Sequence, residues 1–365
     1  MPTRTEQPSA AERKSWTRRR YRGIENLLLP SFEPDLRTLD EDALRRDVRQ
    51  AIAHGCFSTL YASLGHELST TLRALEVACD EAGDRILVGG FTEYPTEAEN
   101  VALVRGAAAA GCSHVLAMYP PKSMPGSEAE VERYLRALVD AADIGLVLYA
   151  TPHPGMVAFD PSGVALDVLD RLADLPTVAA IKLTQTIDPV LARTCCERFG
   201  DRLAVNCVPL ELMPLLGREF DIAWSGEWAV EGVQGPGRRL VAEYVELIAR
   251  KQFRAAEALY WTLRPAYELF SEFQVPKLKL GGHPWQHLKY YQWLTGGNGG
   301  LVDVEGQSPE QVGTLHPEDR ERIRAMFAKL GIATTAAAAD EFVSGAEAAR
   351  RGVRADSFGK RPFYE

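Results

Sequence analysis

The sequence predicts an α/β protein: a closed (β/α)8 barrel of the TIM type followed by a C-terminal helical domain. Short apolar runs rich in β-branched residues alternate with amphipathic segments whose apolar residues recur every three or four positions. Eight such runs fall before residue 230, most of them followed by a helical segment, which is the pattern of parallel strands buried on both faces. Beyond residue 230 the strand rhythm stops and helix follows helix. An open doubly wound sheet is the competing architecture, but no G-x-G-x-x-G follows the first run.

In chain order, the candidate strands are GIENLLLP (23–30), FSTLYA (57–62), RILVGGF (85–91), SHVLAMY (113–119), IGLVLYA (144–150), TVAAIKL (177–183), LAVNC (203–207) and DIAWSG (221–226). Between them, DEDALRRDVRQAIAHG, TEAENVALVRGAAAAG and SEAEVERYLRALVDAA read as helices, and glycine closes two of the three. Four regions follow: a flexible basic arm over 1–20, the barrel over 21–232, a helical domain over 233–333 and an Ala-rich tail over 334–365. The segment GGHPWQHLKYYQWLTGGNGG reads as a helix fenced by glycines, with GGNGG a helix stop and turn or an anion cradle. The tail reads either as a helix packed on a neighbour or as a loosely held extension.

The chain has 365 residues, 46% of them apolar and 25% charged, an ordinary globular composition. A net charge of -9 argues against a nucleic-acid partner. Cys56, Cys79, Cys112, Cys195, Cys196 and Cys207 show no C-x-x-C spacing and read as reduced thiols. The basic N-terminus lacks an apolar core behind it, and nowhere do about eighteen apolar residues run uninterrupted. A cytoplasmic protein without a membrane partner is the expectation.

Lys182 ends the apolar run Val178–Ile181, at the C-terminal end of the sixth strand, where barrel enzymes project their reacting groups. Among apolar neighbours an ammonium loses solvation, which favours the nucleophilic amine, and such an amine can condense with a ketone or aldehyde. A lysine snorkelling to solvent from a strand end is the plain alternative. Tyr149 ends the fifth strand and should stand beside Lys182, where a phenol can relay the protons of imine formation. Ser63, after the second strand, could extend that hydroxyl relay to Tyr149.

Three stretches carry a resemblance. The fifth-strand LYATP is similar to a Y-N-x-P motif, the sixth-strand AAIKLT to G-I-K-x-[ST], and ILVGGFTEYPTEAENVAL to a third-strand glycine followed by a T-x-E-A helix. Over residues 22 to 300 the chain thereby resembles the dihydrodipicolinate synthase / N-acetylneuraminate lyase family of class I aldolases. The resemblance implies Lys182 as the Schiff-base lysine and Tyr149 as the proton shuttle, 33 residues apart (182 − 149). It implies Ser63 with the Leu64 and Gly65 amides as the holder of a 2-oxo-acid carboxylate, and leaves His66 and Glu67 as additional site residues. No metal or organic cofactor is implied, only a covalent Schiff base. The implied partners are a 2-oxo acid such as pyruvate and an aldehyde, in a homo-oligomer, tetramer or dimer.

The departures from the motifs are specific. Pro154 stands where the lysine-biosynthetic synthases carry an arginine, Ala150 where they carry asparagine, and Pro121 and Lys122 where they carry an aromatic pair. YATP leans toward the hydratase-aldolase branch, which pairs pyruvate with aromatic or bulky aldehydes. Trp224, Trp228, Trp285 and HPWQHLKYYQW could supply apolar walls for such a substrate, although buried aromatics are more often core. Asn206, Cys207 and Ser225 end strands seven and eight and face the site by position; Ser225 joins Leu64 and Gly65 as a substrate-binding candidate. The alternatives are a barrel that only binds a small oxo acid as a sensor and a metal-dependent aldolase using His66, Glu67 and His153.

Overall fold

The structure, a computed structural model, describes residues 8–184, 187–226, 232–304 and 306–365. The strands are β1 (Gly23–Leu28), β2 (Ser58–Tyr61), β3 (Leu87–Phe91), β4 (His114–Ala117), β5 (Gly145–Ala150), β6 (Val178–Leu183), β7 (Ala204–Cys207) and β8 (Ile222–Ser225). They pair in parallel in sequence order and β8 returns to β1, closing the barrel. All eight expected runs form strands, each shortened by one or more residues because ladder hydrogen bonds stop before the turns do.

The helices are α1 (Arg13–Arg20), α2 (Glu41–Ala53), α3 (Leu68–Ala82), α4 (Glu97–Ala110), α5 (Glu128–Val139), α6 (Leu166–Leu172), α7 (Pro189–Phe199), α8 (Met213–Leu216) and α9 (Leu240–Ala249). Their starts are written locally. Asp40 caps α2 by accepting from Ala43 N, Ser127 caps α5, and Thr96 and Glu99 form a reciprocal capping box on α4. Asp188 accepts from the amides of Val190 and Leu191, with Pro189 opening α7.

Two apolar layers result. The outer one lies between strands and helices and includes Ile24, Val115, Leu148, Ile181 and Val205. The inner one fills the barrel with Leu60, Leu87, Leu116, Val147, Ala180 and Trp224. Side chains alternate along each strand, so residues 180 and 182 share the inner face.

One expectation changes here, and one open choice is decided. Residues 13–20, read from composition as part of a flexible arm, form α1. Arg13, 1% exposed, meets Asp143 at 2.6 Å, and Trp16 and Tyr21 pack on the inner layer, so apolar burial holds what charge counting released. Trp224 is not a wall of the open rim: its ring sits 5.2 Å from Tyr21 and 5.8 Å from Phe57, in the floor of the barrel.

Beyond the barrel lie α10 (Phe253–Leu278), α11 (Trp285–Leu294), α12 (Pro309–Val312), α13 (Pro317–Lys329), α14 (Ala339–Ser344) and α15 (Ala346–Arg350). GGNGG turns back on α2: the Asp47 carboxylate accepts from Asn298 N at 2.6 Å and meets Lys289 Nζ at 3.2 Å. The turn thus closes around an anion of its own chain. The tail packs in the same place, with Phe342 against Tyr290 and Trp293, and Arg351 on Asp40 and Glu33.

Candidate active site

The register of three strands assembles the site. Tyr149 of β5 lies directly opposite Lys182 of β6, and Lys182 directly opposite Asn206 of β7. Lys182 is 8% exposed. A Cβ placed on Gly226 would stand 3.1 Å from Lys182 Nζ and 3.6 Å from Glu25 Oε2. The ammonium and the carboxylate of β1 therefore converge on the space that this glycine leaves open, just past β8.

Below them lies a second buried pair. His114 Nε2 of β4 approaches Glu25 Oε1 to 2.8 Å, with both side chains at most 3% exposed. Gly89 makes room for the ring, since a Cβ there would fall 2.3 Å from His114 Nε2. Burial alone would raise the Glu25 carboxyl, but His114 and the Lys182 ammonium together hold it below the usual carboxylate value.

The Tyr149 hydroxyl hydrogen-bonds Thr184 Oγ1 at 3.2 Å, and its ring stands edge-on to Phe91, centroids 5.9 Å apart. Ser63 engages Glu93 instead of Tyr149: its amide donates to the Glu93 carboxylate, and its hydroxyl accepts from Gly65 N at 3.2 Å. Burial pushes the Glu93 carboxyl up to about 7, with the Ser63 hydrogen bonds acting in the opposite direction. Leu64 holds φ at 54° and Gly65 at 87°. A left-handed leucine costs about 1 kcal/mol, a strain typical of a loop shaped for a ligand.

The remaining candidates disperse. His66 Nε2 meets Asp303 O at 3.0 Å, and His153 meets Pro120 O and Gly155 N. Among the described residues no three His, Cys, Asp or Glu side chains group to hold a metal ion. Cys207 belongs to the outer layer, and Ser225 pairs with Ile24 of that layer while its neighbour Trp224 points inward. Alternation thus turns both away from Lys182. Asn206 points in: it is fully buried, and neither amide atom has a partner among the described residues. Trp285 stacks on His283 at the start of α11, and Trp228 lies outside the described residues.

Sequence reasoning passed over Glu25, His114, Thr184 and Glu93. The signal for Glu25 was available: a carboxylate inside the apolar run GIENLLLP. That for Thr184 was the last position of AAIKLT. Nothing in SHVLAMY points His114 at Glu25, because their meeting depends on barrel closure.

A family model described as the dihydrodipicolinate synthetase family matches residues 20–206, just over half of the chain. The chain belongs to the dihydrodipicolinate synthetase family. Relatives named 4-hydroxy-tetrahydrodipicolinate synthase include one from Chloroherpeton thalassium, 29% identical over 171 residues, covering 45% of this chain and 54% of the relative. Another, from Thermus thermophilus, is 24% identical over 305 residues, covering 80% and 92%. The chain spans little more than half the length of the first of these relatives. Among solved structures, dihydrodipicolinate synthase from Aquifex aeolicus aligns with a TM-score of 0.68 at 18% identity, covering 86% of this chain and 99% of that one, a likeness of fold.

Against the dihydrodipicolinate synthetase motifs, the departures fall on well-placed backbone. Pro154 opens the 3-10 turn Pro154–Met156, Ala150 is fully buried, and Pro121 and Lys122 are exposed.

Proposed function

We propose that this chain is a Schiff-base-forming lyase of the class I aldolase type, acting on pyruvate or a related 2-oxo acid and an aldehyde. The observation that carries this reading is the direct opposition of Tyr149 and Lys182 on adjacent strands, with the lysine almost wholly enclosed. In the proposed reaction Lys182 Nζ attacks the ketone carbon and water leaves as the imine forms. Loss of a proton from the adjacent carbon gives an enamine that adds to the aldehyde, or is released in the reverse cleavage. Tyr149, coupled to Thr184, relays protons to and from the carbinolamine oxygen. The Ser63 hydroxyl and the Leu64 amide are offered to the carboxylate, and Asn206, beside the lysine, offers an amide that has no partner among the described residues.

A hydratase-aldolase preference is favoured over lysine biosynthesis. Pro154 cannot grip a second carboxylate, whereas Phe91, edge-on to Tyr149, presents an apolar ring to an aldehyde. A homo-oligomer is the proposed assembly, with the exposed Trp261, Val275 and Leu280 of the α10 region as apolar surface for it.

The test is borohydride reduction in the presence of pyruvate, followed by peptide mass spectrometry. The adduct is expected on the peptide holding Lys182 and absent from Lys182→Ala; an unmodified wild-type peptide would sink the reading. Screening aldehydes with pyruvate should then favour aromatic over dicarboxylic partners.

A further inference from the structure

The loop after β2 and the turn after β3 are fastened to each other at the rim of the barrel. Thr92 Oγ1 donates to the Leu116 carbonyl at 3.2 Å and accepts from Met118 N at 2.8 Å, which ties the end of β3 to β4. Tyr94 N donates to Asn100 Oδ1 of α4 at 3.0 Å, and the Tyr94 hydroxyl reaches Thr71 Oγ1 at 2.7 Å and the His66 carbonyl at 3.2 Å. Glu93 stands between these two fixed residues, with the same parity as the inward-facing Phe91. Its carboxylate accepts from the Ser63 amide.

The Ser63 loop therefore already holds a carboxylate, one from its own chain. A substrate carboxylate on the Ser63 hydroxyl and the Leu64 amide would lie one backbone step, about 3.8 Å between α-carbons, from the occupied amide. Two carboxylates that close do not readily ionise together. Among the described residues, Tyr61 of β2 and Tyr94 of its own turn are the titratable groups that face Glu93. Burial raises both phenols, Tyr94 to about 12, so neither changes charge near neutral pH. Neither supplies a positive charge to separate the two carboxylates.

We propose that the site accepts a 2-oxo acid only while Glu93 is a carboxylic acid. The inference rests on the Schiff-base reading and makes Glu93 the residue that selects for or against an anionic substrate. In its acid form Glu93 keeps one oxygen on the Ser63 amide and donates the proton of the other to the incoming carboxylate. In its ionised form it repels that carboxylate, and a ketone with an uncharged amide in the same place is favoured. Burial pushes the Glu93 carboxyl up to about 7, so both forms are populated around neutral pH.

The test compares pyruvate with pyruvamide, the same ketone with its carboxylate replaced by a neutral amide. Each is supplied to the full-length protein well below saturation between pH 6 and pH 8. The initial rate of the cyanoborohydride-trapped Lys182 adduct is read by peptide mass spectrometry. Protonation of Lys182 affects both ligands alike and cancels in the ratio of their rates. In wild type the pyruvate-to-pyruvamide ratio is expected to fall about tenfold across that range as Glu93 ionises. Glu93→Gln keeps an acceptor for Ser63 N and a donor for the substrate, and is expected to hold the ratio constant. A flat or rising wild-type ratio, or an equal fall in Glu93→Gln, would overturn the proposal. The wild-type ratio needs no variant, so it still decides the matter if Glu93→Gln does not fold. A protein that traps neither ligand sinks the Schiff-base reading and this selection with it. One that traps both at a constant ratio sinks the selection alone.

Discussion

Gly226 limits where the Lys182 amine can sit, because a side chain there would stand 3.1 Å from it. A Cβ would press on Nζ at that distance, so Gly226→Ala is expected to nudge the amine by a few tenths of an ångström and slow formation of the pyruvate adduct severalfold, read by the rate of borohydride-trapped product. Glu93 has the opposite sensitivity, to its charge. Burial pushes its carboxyl up to about 7 in the fold, above the ordinary carboxylate range. The native state therefore binds the extra proton, so the stabilising contribution is complete below the unfolded value and is lost as pH rises through 7. Glu93→Gln should remove that loss: relative to wild type it gains on the order of 1–2 kcal/mol between pH 5 and pH 8 in paired denaturant titrations, discounted for partial exposure of the side chain. An equal difference at both pH values would exclude the ionisation as the cause.

Caps and registers connect these residues to the elements that carry them. α7 follows the lysine strand, and the Asp188 carboxylate takes two of its first amides. Asp188→Ala is expected to cost about 1 kcal/mol in the urea midpoint, while the Lys182 adduct still forms. Most of this was legible from the chain alone: all eight strands, and the placing of Tyr149 and Lys182 at matching strand ends. Period-two burial and terminal polarity are local properties, and a parallel register one strand apart follows from them. The inward or outward sense of Ser225 and Cys207 was not legible, because a shift of one residue reverses every side chain and the register between β7 and β8 slips at Val205/Asn206.

Across the whole molecule, α1 and Tyr21 plug the barrel at the end opposite the lysine. Tyr21 is 2% exposed and touches Phe57, His114 and Trp224. Tyr21→Ala is expected to cost about 3 kcal/mol, measured by denaturant unfolding, through the cavity it leaves in the floor. A loss below 1 kcal/mol would mean that the floor collapses around the gap. Hydrophobic rhythm, strand-end chemistry and three short motifs were enough to reach the barrel, the lysine–tyrosine pair and the family, since each is written in neighbouring residues. The plug, the Glu25–His114 pair and the clasp of Arg351 on Asp40 were settled by closure of the chain on itself. Those contacts join residues tens to hundreds of positions apart, and no local pattern encodes which distant charge or ring a buried side chain will meet.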